Sequence, residues 1–581
     1  MAILGVDVGG TFTDAVLLGE DGLVTAKVPT EAHQEESVVA AVRAVGATAV
    51  ERFAHGTTIA TNALLERKGA RTTFVTTAGF EHLLHLARQT RPQLYRLCED
   101  RLAPLVPIER CIGVRERIGP DGVVVPLELA SLPPIEGEAV AVCTLFSFRD
   151  PDHEREIANE IRRRLPEAHV VASHEVAPEF REYERASTTV VDAYLGPLTA
   201  RYLRALGARC RDEGLPEPLV MRSSGGAATL EEAAAHAARI LVSGPAAGVV
   251  GAQVVARLAG IENAISFDMG GTSTDVCLIA GGAPERSSER TVAGQPVRLP
   301  TVDVHTVGAG GGSIAWEDSG GALRVGPQSA GADPGPACYG RGGTMPTVTD
   351  ANLVLGRLPT RLAGGLELDT AAAGRALAGL EPADVVRAVN AEMLRALRVV
   401  SVERGHDPRE FALVAFGGAG PLHACELAEE LEIGTVLVPA AAGVLSALGL
   451  VASDERRDAV RSYLVPLAEV GPLPREGEAD LRYAGQSFEL SVPLQADLAG
   501  AFHLAHEARY GYADRERTIE LVAVRTVEVR SGPVVELPPP PGTDDRIVGP
   551  GVVELEGATC WIPPGWVGAR DGHSTLILTR S

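Results

Sequence analysis

Two ten-residue stretches carry residue types suited to phosphate chemistry. Residues 5–14 read Gly-Val-Asp-Val-Gly-Gly-Thr-Phe-Thr-Asp, and residues 266–275 read Ser-Phe-Asp-Met-Gly-Gly-Thr-Ser-Thr-Asp. Aligned on Asp7 and Asp268, which lie 261 residues apart, both contain Asp-x-Gly-Gly-Thr-x-Thr-Asp. Bare glycines in a tight turn expose backbone N–H groups, which form a small anion-binding concavity. Threonine hydroxyls add donors, and carboxylates suit a hard cation such as Mg2+. On this reading Gly9, Gly10, Thr11, Thr13, Gly270, Gly271, Thr272, Ser273 and Thr274 hold phosphate oxygens. Asp7 and Asp268 bind Mg2+ directly or through water, and Asp14 and Asp275 are candidates for a catalytic base or a group supporting the metal. The plain alternative is a pair of hairpins whose Asp and Thr cap their own turns. Turn chemistry alone does not produce two matching copies. Two such hairpins face to face would grip a polyphosphate from both sides, so the expected ligand is a nucleotide.

Other stretches offer weaker signals. Phe416-Gly417-Gly418-Ala419-Gly420-Pro421 follows an apolar run and opens a helix. Glycines there let a flat base or ribose approach the backbone, so Gly417, Gly418 and Gly420 are candidate adenosine contacts. His55 precedes Gly56-Thr57-Thr58, and His305 lies in Asp303-Val304-His305 before a glycine run. An Asp-x-His pair in extended backbone points both side chains to one face. His55 and His305 are therefore candidates to orient a carbonyl or bind a metal, with Thr57, Thr58 and Asp303 beside them; the alternative is that each histidine holds loop backbone. Asp333, in Ala-Asp-Pro-Gly-Pro, is a further candidate, although Asp before Pro is ordinary turn chemistry. Cys338 reads as a buried thiol, His423 as a packing residue, and the pairs His82/His85 and His503/His506 as surface pairs on helices.

The elements that must position these residues alternate strand and helix. Each phosphate signature is flanked by short apolar runs and reads as strand, turn, strand. Gly79–Arg91, Glu154–Arg164 and Ala371–Arg404 read as helical, and Arg181–Leu206 as a long helix interrupted near Gly196-Pro197. Residues 308–343 are glycine-rich but contain Trp316 and Tyr339, which suggests an ordered loop. Proline density rises at 465–475 and 537–541, and residues 480–581 look β-rich. The expected organisation is an N-terminal lobe (1–180), a core lobe with the second hairpin and adenosine turn (181–455), and a smaller β-rich C-terminal domain (476–581).

Composition narrows the function classes. A net charge of −23 argues against nucleic acid or an anionic membrane as partner. No apolar run approaches the ~18 residues of a membrane span, and Met-Ala-Ile-Leu-Gly-Val-Asp reads as a first strand rather than a signal peptide. Eight scattered cysteines without a Cys-x-x-Cys pair fit free thiols in a reducing cytoplasm. The only two lysines, Lys27 and Lys68, do not follow a glycine. That excludes a Gly-Lys-Ser/Thr phosphate loop and disfavours a Schiff-base enzyme.

Phosphate hairpin, second phosphate hairpin, then adenosine turn is the order found in the actin, hexokinase and heat-shock chaperone ATPase superfamily. More narrowly, the chain resembles the hydantoinase A/5-oxoprolinase family. The resemblance rests on His55–Glu66, Arg181-Glu182-Tyr183-Glu184-Arg185, Ser223–Gly226, Ser243-Gly244-Pro245, Asp303–Ser313, Gly331–Gly340, Thr349–Asn352 and Gly485–Leu490. It implies a duplicated ribonuclease H-like α/β ATPase core that uses ATP and Mg2+ to phosphorylate a small carbonyl substrate. The expected activity is opening of a cyclic amide such as a hydantoin, 5-oxoproline or a related lactam. A second large subunit of the hydantoinase B type, in a hetero-oligomer, is the implied partner. The alternatives are the nucleotide-binding subunit of an acetone- or acetophenone-type carboxylase, a nucleotide-switched binding protein and, weakest, a sugar kinase. The chain departs from its relatives between Asp454 and Arg482, where they carry a longer helical stretch.

Overall fold

The computed structural model describes residues 2–19, 22–91, 93–95, 101–362, 366–537 and 546–581. Cys98 and most of the proline cluster at 537–541 lie outside the described residues. Two large sheets dominate. In the ten-stranded sheet, the strands Gly22–Pro29, Phe12–Gly19, Ile3–Val8, Arg52–Thr57, Leu219–Met221 and Ala227–Ala228 lie side by side in that order. The nine-stranded sheet is centred on Thr274–Ala280, Ala264–Met269, Ala412–Phe416 and Thr435–Val438, with His305–Val307 pairing on Thr274–Ala280. A smaller sheet of four parallel strands contains Thr72–Thr77 and Ala139–Cys143.

The sequence duplication is a structural one. Ile3–Val8 pairs antiparallel with Phe12–Gly19 and parallel with Arg52–Thr57. Ala264–Met269 pairs antiparallel with Thr274–Ala280 and parallel with Ala412–Phe416. In both first strands every residue is buried except the aspartate, which is partly open. These strands are apolar on both faces because each sheet is covered on both sides, as parallel strands require.

Two helices, Ser243–Leu258 and Leu445–Val451, cross where the halves meet. Their backbones touch through glycines: a Cβ on Gly449 would stand 1.9 Å from the Ala247 oxygen, and one on Gly251 would stand 2.6 Å from the Leu445 oxygen. A Cβ on Gly5 would lie 2.2 Å from the Ala447 oxygen, so the first strand rests directly on the second of these helices.

Several local expectations are revised. The helix Glu182–Asp212 runs uninterrupted through Pro197. Gly196 is required for packing, since a Cβ there would meet His169 Nε2 at 2.2 Å. The expected helix at 79–91 is a single turn, Leu83–Leu86. The glycine-rich loop contains an antiparallel hairpin, Ser313–Glu317 with Leu323–Ser329. His503 and His506 are buried rather than exposed. His503 Nδ1 lies 2.7 Å from the Tyr483 hydroxyl, and His506 Nδ1 donates to the Tyr512 carbonyl at 2.8 Å.

The C-terminal residues are β-rich, and their strands extend both large sheets. Ile519–Arg530 and Glu478–Tyr483 continue the first sheet through Glu455–Pro466, while Leu576–Arg580 pairs with Thr435–Val438 in the second. The seven described cysteines are free, and all but Cys111 are buried. Among the described residues, no helix is long and apolar enough to cross a membrane.

Candidate active site

Register brings the aspartates of each signature together. Asp7 stands directly opposite Asp14, and Asp268 directly opposite Asp275. Directly opposed residues of an antiparallel pair share a face, with Cβ atoms about 4.5–5.5 Å apart. The turns also match: Gly9 N donates to the Phe12 carbonyl and Gly270 N to the Ser273 carbonyl, each at 3.0 Å. The amides of Gly10, Thr11, Gly271 and Thr272 have no backbone acceptor among the described residues. Free N–H groups at a tight turn are the kind that can cradle an anion.

The hairpins face one another, close enough for their charges to couple. Burial pushes the Asp268 carboxyl up to about 8, helped by Asp275 and, across the cleft, by Asp7 and Asp14. Burial and then Asp14 push Asp7 up to about 7, with Lys27 pulling the other way. Asp14 and Asp275 are also raised by burial. Burial is the main cause at all four, and neighbouring carboxylates add to it at Asp7 and Asp268. They are poised to receive positive charge.

Each first aspartate is met by a glycine from the parallel neighbour strand. A Cβ on Gly56 would lie 2.4 Å from Asp7 Oδ1, and one on Gly417 would lie 2.3 Å from Asp268 Oδ1. Gly417 also has φ +76°, open to glycine at no steric cost. The residue after each glycine turn repeats a bond: Thr58 N donates to the Val8 carbonyl at 3.2 Å and Ala419 N to the Met269 carbonyl at 3.0 Å. The adenosine-type turn and the His55-Gly56-Thr57-Thr58 turn are thus equivalent parts of the two halves. The helix Ser243–Leu258 begins beside Asp7, where a Cβ on Gly244 would be 3.8 Å from both carboxylate oxygens. A helix N-terminus there favours an anion.

The glycine run 310–312 packs on the second turn. Gly311 N donates to the Gly270 carbonyl at 3.0 Å and Gly312 N to the Gly271 carbonyl at 2.7 Å. A Cβ on Gly310 would be 2.7 Å from Thr272 N. The loop holds the turn's carbonyls back and leaves its amides facing out.

Asp7 and Asp268 fit a Mg2+ ion. Asp7 Oδ1 is buried with no hydrogen-bond partner. No three His, Cys, Asp or Glu side chains converge on a metal position among the described residues, but Mg2+ is commonly held by one or two carboxylates with water and phosphate oxygens.

Other expected site residues fall elsewhere. Thr13 and Thr274 are buried, because they lie on the opposite face of their strands from Asp14 and Asp275. The Thr13 hydroxyl pairs with Thr30 Oγ1 at 2.9 Å, and that of Thr274 donates to the Ala309 carbonyl. Both hold the hairpins rather than phosphate; Thr11 and Thr272 stay exposed at the tips. His55 is fully buried, its Nδ1 against the Val6 carbonyl at 3.1 Å and its Nε2 against the Tyr202 hydroxyl at 2.8 Å, so neither nitrogen is open to a substrate. Thr57 is buried with it, and Thr58 Oγ1 donates to Val8. His305 pairs with Val276, one position off the Asp275 face, and Asp303 forms an ion pair with Arg404 at 2.6 Å. Asp333 is exposed on its loop. Cys338 is pinned by Asp350, which accepts from its amide at 2.8 Å, and burial pushes its thiol up, away from a nucleophile. His423 is buried between Asn390 and Asn352.

Sequence reasoning missed the groups that answer the second aspartates. Lys27 stands opposite Asp14 on Gly22–Pro29 and donates to its carboxylate. Thr306 stands opposite Asp275 and donates to it, and Arg290 Nη2 lies 3.3 Å from the Thr306 hydroxyl. Only the rarity of lysine hinted at Lys27.

Similarity to known proteins agrees with this geometry. The hydantoinase/oxoprolinase N-terminal region model matches residues 3–165, and the hydantoinase/oxoprolinase model matches residues 185–459. The chain is 34% identical to caprolactamase subunit alpha of Pseudomonas jessenii across 99% of both chains. It is 35% identical to the acetophenone carboxylase gamma subunit of Aromatoleum aromaticum over 77% of this chain and 67% of that one. Identity to 5-oxoprolinase 1 of Arabidopsis thaliana is 33%, over 81% of this chain and 44% of that one. The crystal structure of the ATP-dependent caprolactamase from P. jessenii superimposes with a TM-score of 0.87 at 32% identity, covering all of both chains. With the duplicated actin-like core, these matches establish that the chain belongs to the hydantoinase/oxoprolinase family.

Proposed function

We propose that this chain is the ATP-using subunit of an enzyme that opens a small cyclic amide. The observation that carries the reading is the pair of facing hairpins with their four coupled carboxylates. An amide resists water, and transfer of the γ-phosphoryl group to its oxygen makes that oxygen a leaving group. The N–H proton is lost as an imidate phosphate forms, and ADP departs. Two waters then give the ring-opened amino acid and inorganic phosphate. Asp7 and Asp268 would hold Mg2+, which would neutralise phosphate charge. The chain's own part is positioning and electrostatics: the amides of Gly10, Thr11, Gly271 and Thr272 cradle phosphate oxygens, and Gly417, Gly418 and Gly420 take the nucleoside. Asp14 or Asp275, each directly opposite one of the metal-holding aspartates, would accept the amide proton. The full-length match to a caprolactamase subunit alpha supports a lactam as substrate and a further subunit as partner.

ADP release by the chain with its co-purifying partner, tested on hydantoin, 5-oxoproline, caprolactam and acetone with bicarbonate, tests this. Stimulation by one cyclic amide without bicarbonate is the expected result. The match to an acetophenone carboxylase subunit favours one second reading, ketone carboxylation; stimulation only by a ketone with bicarbonate would establish that instead.

A further inference from the structure

The two halves agree at the turns and first aspartates but differ in what answers the second aspartate. Asp275 receives a hydroxyl, from Thr306. Asp14 receives a cation, from Lys27. We infer that Lys27 is the catalytic cation of the site, contacting the phosphoryl group during its transfer; this rests on the proposed ATP chemistry.

Placement carries the argument. Lys27 Nζ sits 5.4 Å from the ring centroid of Phe12, the residue that follows Thr11 in the phosphate turn. It also donates to the Gly443 carbonyl, 3.2 Å away in the opposite half. Gly443 follows Ala442, whose carbonyl accepts from Gly417 N at 2.9 Å in the adenosine-type turn. The ammonium therefore stands between the glycine turn of the first hairpin and the Gly417 turn of the other half. It is one-third exposed, so a ligand can reach it.

Residue choice agrees. Lysine occurs twice among 53 basic residues, and Lys68 is a surface residue paired with Glu66. Lys27 is thus the one lysine at a site in a chain that otherwise uses arginine. An ammonium is a compact charge with three rotatable donors, able to leave Asp14 for a phosphate oxygen and return, whereas a guanidinium prefers a fixed planar fork. In the transfer step, the bond from the γ-phosphorus to the bridging oxygen breaks and its electron pair leaves with ADP. A bond to the amide oxygen forms. Lys27 keeps its protons throughout and compensates the charge on the moving group.

The test uses the full chain with its partner and reads ATP affinity separately from turnover. Lys27→Gln is expected to lower kcat for ADP release by about 100-fold while ATP affinity changes by less than about tenfold. Ethylammonium is expected to restore turnover to Lys27→Ala, a readout that a structural role would not move. The double variant Asp14→Asn/Lys27→Gln is expected to stay as slow as Lys27→Gln. Turnover of Lys27→Gln within about threefold of the parent, or recovery of the double variant to the level of Asp14→Asn, would overturn the assignment and leave Lys27 as a neutraliser of Asp14. A parent chain that binds no ATP would instead overturn the ATP reading itself.

Discussion

Asp7 and Asp268, the residues proposed to hold Mg2+, sit where a carboxylate is uncomfortable. Their ordinary value is 3.8, and the fold raises them to about 7 and about 8. The unfolded chain therefore sheds these protons at lower pH than the folded chain does. Without metal, their contribution to stability is lost as pH climbs from about 4 to about 8. Asp7→Asn should flatten that decline, raising the thermal midpoint of the metal-free protein at pH 8, while ADP release falls about 100-fold. Calorimetric scans across pH together with an ADP assay check both halves. His55 works in the opposite direction. Burial lowers its value from 6.5 to about 4, so stability present above 6.5 is lost as pH falls toward 4. Tyr202→Phe leaves Nε2 of this buried ring without its 2.8 Å partner and should destabilise the protein by about 1–3 kcal/mol, seen as a lower unfolding midpoint.

Among the elements, the hairpins could be read from sequence because their information is local: an apolar strand, an aspartate, bare glycines and a second strand lie within ten residues. What surrounds them could not. The Lys27–Asp14 pair depends on cross-strand register, and the docking of Gly311 and Gly312 on Gly270 and Gly271 is a contact between distant segments. The assignment of Thr13 and Thr274 to phosphate failed for a related reason. Residue type pointed to phosphate, but strand alternation turned both inward. His503 and His506 were misplaced because helical spacing says that two residues share a face, not which face is covered. Backbone contacts at the glycines make a sharp prediction. Gly417→Ala would put a methyl group 2.3 Å from Asp268 Oδ1 at φ +76°. Titration with a fluorescent ATP analogue should show nucleotide binding lost, while Gly418→Ala, whose Cβ would be 3.8 Å from its nearest neighbour, should bind within about tenfold of the parent.

The molecule as a whole is a duplicated α/β core whose halves meet through two crossing helices and share their C-terminal strands. The alternation of strand and helix and the repeated signature made the duplicated core readable in advance. The destination of the C-terminal strands was not, because an alternating strand does not say which edge it joins. Leu576–Arg580 pairs with Thr435–Val438, and Ile519–Arg530 with Glu455–Pro466. A chain ended at residue 475 should therefore lose solubility or aggregate on size exclusion, rather than leave a folded two-lobed core. On the proposed function, the two hairpins drive phosphorylation of an amide oxygen. That step is tested most directly by supplying ATP and a cyclic amide substrate labelled with 18O at the carbonyl, then locating the label by mass spectrometry. The 18O is expected in inorganic phosphate, since the phosphorylated oxygen leaves with it. Label found entirely in the carboxylate of the ring-opened product would contradict it.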